Sequence, residues 1–84
     1  MKQELSPYEI IARNIKVKLV MRVRGNVWTM VNNNQITIGI TLNGDTFSIT
    51  RTITDINNTD SNELSEIIYK SYRKYIFKKY FTFD

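Results

Sequence analysis

Four basic residues, Lys16, Lys18, Arg22 and Arg24, recur at even spacing within residues 15–24. In an extended chain every second side chain points the same way. A strand here therefore sets all four cations on one face, about 7 Å apart per step. Ammonium and guanidinium groups at that spacing, beside threonine hydroxyls, donate hydrogen bonds to phosphate oxygens, so the face is a candidate nucleic-acid platform. The same pattern suits an edge strand, where basic side chains block strand-to-strand aggregation. No aromatic residue lies on that face, so base stacking is not expected of it and any such contact would be indifferent to base sequence.

A second group lies at the C-terminus, in YKSYRKYIFKKYFTFD. Five of the twelve basic residues fall between Lys70 and Lys79, interleaved with aromatics. On a helix, the aromatics beyond Tyr75 fall off the stripe that would face a core. Aromatic and aliphatic side chains flanked by Lys and Arg are the residue types that anchor protein interfaces. Tyr69, Arg73, Ile76, Phe77, Tyr80 and Phe81 are therefore the candidate protein-contact residues. Basic residues late in a helix also complement its dipole, with Asp60, Glu63 and Glu66 doing so at the start.

The chain contains no histidine and no cysteine. That removes the commonest general base, the commonest metal ligand, thiolate chemistry and disulfides together. The carboxylates at 55, 60, 63 and 66 cluster only where a helix begins, and no phosphate-cradling glycine loop occurs. Residues 55–66 place oxygen side chains loosely as a calcium loop does, but Asp60 stands where that loop requires glycine. The expectation is a protein that is not an enzyme and needs no cofactor or metal.

Eighty-four residues make one domain, residues 1–84, with a thin core. The net charge of +4 is mild and fits nucleic acid, an acidic protein or plain solubility. The N-terminus lacks a signal-peptide pattern and no run is long enough for a membrane span, so the cytoplasm is the expected location. Usage is skewed: 12 Ile, 9 Asn and 5 Tyr against a single Pro. These are products of AT-rich codons, common in phages and mobile elements.

The elements that must position these groups read as follows. Ser6-Pro7-Tyr8-Glu9 is a capping box with proline at the first helical position, opening a short helix over residues 7–13. From Ile15 the pattern alternates strictly, Ile15, Val17, Leu19, Met21 and Val23 on one side, which predicts a strand over 15–24. Ile11, Ile15, Leu19 and Val23 are also spaced by four, the competing reading in which the first helix runs on to Arg24. Gly25-Asn26 suits a turn into a strand over 27–31, with Trp28 and Met30 inward. Asn43-Gly44 between two alternating runs is a two-residue hairpin signal. It fixes the register: Leu42 opposite Asp45, Ile40 opposite Phe47, Ile38 opposite Ile49. Arg51 falls opposite Ile36 on the inward face, and Gly39 marks a bulge or a close approach. Asp60 or Ser61 caps a final helix over 61–79.

The expected fold is a two-layer α+β domain, α-β-β-β-β-α, a four-stranded antiparallel meander with one face covered by the C-terminal helix. The expected function is stoichiometric protein contact by a small regulator or inhibitor of phage or mobile-element type. The alternative is a nucleic-acid-binding module using a basic, threonine-rich sheet face. A second copy of the chain is a further candidate partner, through the C-terminal helix or the exposed sheet face.

Overall fold

A computed structural model describes residues 5–80. The order is α1 (Pro7–Val20), β1 (Asn26–Asn32), β2 (Gln35–Leu42), β3 (Asp45–Thr52), a 3-10 turn (Ile56–Asn58) and α2 (Ser61–Tyr80). The fold is α+β, with both helices on one face of a three-stranded antiparallel sheet ordered β1-β2-β3.

The expected fourth strand is absent from the described residues, because residues 15–20 continue α1. The capping box starts this helix: Ser6 Oγ accepts from the Glu9 N–H at 3.2 Å, and Glu9 Oε1 accepts from the Ser6 N–H at 3.1 Å. No glycine or proline follows to stop it before Arg24. Ile11, Ile15 and Leu19 recur every four residues and are all buried, so the helical stripe satisfies the core. Val17 and Met21, which completed the alternation, lie on the solvent side. The N–H groups of Arg22 and Val23 close the helix on the Leu19 carbonyl.

Gly25 then turns the chain into β1, not between two strands. Its φ is +128°, and a Cβ there would meet the Thr41 carbonyl oxygen at 2.8 Å. The faces of β1 are the reverse of those expected. Val27, Thr29 and Val31 oppose Ile40, Ile38 and Ile36 on the core side, and Trp28 and Met30 lie outside. Gly39 explains where Trp28 goes. The indole lies across it so closely that a Cβ at 39 would sit 2.0 Å from Trp28 Cε2, and Trp28 Nε1–H donates to Thr41 Oγ1 at 3.2 Å.

The β2–β3 hairpin has the expected register throughout, with Asn43 and Gly44 at φ 54° and 83°. Ile36, Ile38 and Ile40 are each at most 2% exposed beneath the helices. Arg51 does oppose Ile36, but its side chain is exposed. Asp60 caps α2, its Oδ1 accepting from the Asn62 N–H at 2.9 Å. α2 packs mainly against α1 and meets β3 through Phe47, whose ring stands edge-on to Tyr72 (5.6 Å between centroids) and tilted to Tyr75 (5.3 Å).

Candidate functional site

Tyr69, Arg73 and Ile76 follow one another at i, i+4 and i+7 and so share one face of α2, with Phe77 beside them. The end of α1 delivers Arg22, Val23 and Arg24 to the same place, and the end of β2 delivers Leu42. Together with Tyr72 they line a groove of about 300 Å³. Its apolar lining is Val23, Leu42, Tyr72, Ile76 and Phe77, and its basic lining is Arg22, Arg24 and Arg73.

The arginines differ in what holds them. Arg22 is fixed. It pairs with the Glu66 carboxylate, and its guanidinium stacks 3.8 Å from the centre of the Tyr69 ring. Arg73 approaches the same ring at 5.8 Å. Among the described residues neither Arg24 nor Arg73 has a carboxylate within 4.0 Å. The groove therefore offers guanidinium donors, suited to bidentate carboxylate or phosphate contact, over apolar and aromatic surface. Phe77 is 66% exposed at its margin. Tyr72 forms part of the buried lining, and that burial pushes its hydroxyl above the usual tyrosine range.

Four of the six residues expected at a protein contact thus come together: Tyr69, Arg73, Ile76 and Phe77. Tyr80 is engaged within the fold. Its hydroxyl donates to Asp45 Oδ2 at 2.7 Å while Lys79 Nζ donates to Oδ1 at 2.7 Å, clasping the end of α2 to the hairpin tip. These two donors hold the Asp45 carboxyl below its ordinary 3.8, and the carboxylate raises both Lys79 and Tyr80. Phe81 lies outside the described residues.

The basic ladder does not form. Lys16 and Lys18 are two positions apart on a helix, hence on different faces, while Arg22 and Arg24 belong to the groove. Lys16 borders a groove between α1 and β1, and Lys18 lies near Met21 and Glu66. The threonine-rich sheet surface is on the other side of the sheet from both helices. There Thr37 and Thr50 share a hydrogen bond at 2.8 Å, and Thr41 and Thr46 one at 3.2 Å. Arg22, Val23 and Arg24, together with Leu42 from β2, are the groove residues that residue order did not join to α2. The i+4 spacing of Ile11, Ile15, Leu19 and Val23 was the signal that would have brought the first three there.

Among the described residues no cluster of acidic side chains is arranged to hold a metal ion, and no helix is long and apolar enough to cross a membrane. Comparison with protein-family models, with curated proteins and with solved structures returns no match.

Proposed function

We propose that this chain is a small, non-enzymatic binding protein acting by stoichiometric contact with a protein partner, as a regulator or inhibitor of phage or mobile-element type working in the cytoplasm. One observation carries the reading: Arg22, Arg24 and Arg73 converge on an apolar groove with Tyr69, Ile76 and Phe77. Arginine and aromatic side chains around an apolar centre are the composition of interface hot spots. The partner's complementary feature is an acidic segment carrying an aromatic or aliphatic anchor, the carboxylates meeting Arg24 and Arg73 and the anchor entering the groove. Fluorescence anisotropy with a panel of such acidic–aromatic peptides, read at low salt against charge-inverted controls, tests this. Binding of the acidic peptides alone, abolished by Arg24→Glu with Arg73→Glu, supports it. Equal binding of both sets, or binding indifferent to the two substitutions, removes it.

Single-stranded nucleic acid is the second reading, favoured by the same juxtaposition of guanidinium groups with Tyr69 and Phe77. It moves the nucleic-acid contact from the sheet face to the groove, keeping Arg22 and Arg24 and leaving out Lys16 and Lys18. Its mark is binding to single-stranded oligonucleotides that falls steeply between about 50 and 200 mM salt.

A further inference from the structure

The sheet face turned away from both helices carries the single tryptophan, and its placement is specific. A Cβ built on Gly39 would stand 2.0, 2.1 and 2.6 Å from Cε2, Cζ2 and Cδ2 of Trp28. A point beyond the Cε2–Cζ2 edge cannot also come that close to Cδ2, which lies deeper in the ring system. Gly39 therefore meets the flat of the indole, not its edge. A mid-strand glycine marks a close approach to the backbone, and here the approaching group is a ring laid flat on β2. The Nε1–H donates to Thr41 Oγ1 at 3.2 Å, which fixes the orientation. One side of the ring covers the glycine. The other faces outward, and Trp28 is only half-buried.

Hydroxyl groups surround it. Ser48 stands directly across from Gly39, between Thr46 and Thr50 on β3, with Thr37 and Thr41 on β2. Alternation along the strands puts all five on the face of the indole. Thr37 pairs with Thr50, and Thr41 with Thr46. Each pair uses one hydroxyl hydrogen and leaves the other to donate outward. Ser48 is exposed, and its hydroxyl bonds to none of the described residues. No strand residue on this face is charged, although 24% of the chain is. Asp45 and Arg51, the two charged residues of the strands, fall at the alternate positions, opposite Leu42 and Ile36.

We infer that this face binds a neutral carbohydrate, with a pyranose ring lying flat on the Trp28 indole and its hydroxyls bonded to Ser48, Thr37 and Thr50. A pyranose whose hydroxyls are equatorial presents C–H bonds on the faces of its ring. These carry partial positive charge, and the face of an aromatic ring is its negative region. The sugar hydroxyls spread around the ring plane and both donate and accept, as serine and threonine do. Ser48 is one strand spacing, about 4.8 Å, from Gly39, within reach of a sugar centred on the indole. The missing charge selects against other occupants. A nucleic acid stacks on aromatics too, but needs cations for its phosphates. A protein interface centres on a cluster of apolar anchors, and here only Met30 accompanies the indole. The inference is independent of the groove reading, because the groove lies on the helix side of the sheet.

Trp28 is both the platform and the only tryptophan, so its emission reports occupancy directly. The full chain is titrated with short neutral oligosaccharides of glucose, N-acetylglucosamine, mannose and galactose, and with heparin fragments as the anionic control. A flat platform buries little of its ligand, so the titration runs to about 20 mM to register a Kd of about 1 mM. The expected result is a saturable change in emission with at least one neutral oligosaccharide, equal at about 50 and 200 mM salt. Gly39→Ala lifts the indole off the strand and should weaken binding at least about tenfold. Ser48→Arg does the same from an exposed position that leaves the core untouched, so it decides if Gly39→Ala unfolds. Arg24→Glu with Arg73→Glu should leave sugar binding unchanged. No response to any neutral oligosaccharide overturns the inference. So does a response to heparin alone, or one lost at the higher salt, which places the contact on the arginines instead. Sugar binding that survives Ser48→Arg overturns it too.

Discussion

Replacing Gly39 with alanine tests how the outer sheet face is built. The new methyl carbon would stand 2.0 Å from Trp28 Cε2 and 2.1 Å from Cζ2, far inside contact distance, so the indole has to leave. It then loses its hydrogen bond to Thr41 and its cover on the strand. Overpacking of this kind costs about 1–3 kcal/mol, while removing a strand glycine returns about 0.5–1 kcal/mol. The net loss is about 1–2 kcal/mol, which lowers the Tm of a domain this size by roughly 4–16 °C. Thermal melting followed by circular dichroism gives that number. Emission gives the cause, because Trp28 is the only tryptophan and a freed indole shifts to the red. In a Trp28→Ala background the same Gly39→Ala change no longer meets the indole and should be neutral or mildly stabilising, so the double-mutant cycle shows coupling of about 1–3 kcal/mol. An unchanged Tm and emission in the single variant, or no coupling in the cycle, would refute the reasoning.

The remaining predictions concern the core and the clasp on α2. Leu19 is 0% exposed, and Leu19→Ala should cost about 2–5 kcal/mol against a total on the order of 5, leaving little folded chain by circular dichroism at 37 °C. Asp45→Asn should speed amide exchange in the last turn of α2 and leave the middle of β2 protected. The clasp should also have a pH window. Asp45 is lowered on folding, so its contribution is present above 3.8 and is lost as pH falls through its folded value. Tyr80 and Lys79 are raised from 10.0 and 10.5, so theirs is present below those values and is lost as pH rises through the folded ones. Exchange in that turn should be slowest between these limits.

What could be read from residue order depended on whether a local signal had a rival. Asn43-Gly44 fixes a two-residue loop, so every pairing from Leu42–Asp45 to Ile38–Ile49 followed from it. Asp60 and the apolar spacing of 64, 68 and 72 placed α2 to within a residue at its end. Residues 15–23 satisfied two periods at once, because Val17 and Met21 are apolar yet solvent-facing. The capping box and the want of a breaker decided for the helix. That choice also governs β1. Once a helix precedes it, the loop Asn33-Asn34 sets Val31 opposite Ile36 and turns Val27 and Thr29 to the core. The helix half of the candidate groove was legible as a face of α2. The part contributed by Arg22 and Arg24 was hidden by the strand reading, and the capture of Tyr80 by Asp45 needed the hairpin tip and the helix end to be placed together.

The central claim is that the arginine-rimmed groove engages a protein. Its most direct test immobilises the full chain and compares proteins retained from a lysate of cells that carry it by wild type, by Arg24→Glu with Arg73→Glu, and by Arg51→Glu, whose side chain lies away from the groove. The expected result is one protein held in near-equimolar amount by wild type and Arg51→Glu and lost from the double variant. Retention of the same protein by all three, or no protein held near equimolar amount by any, would contradict the account.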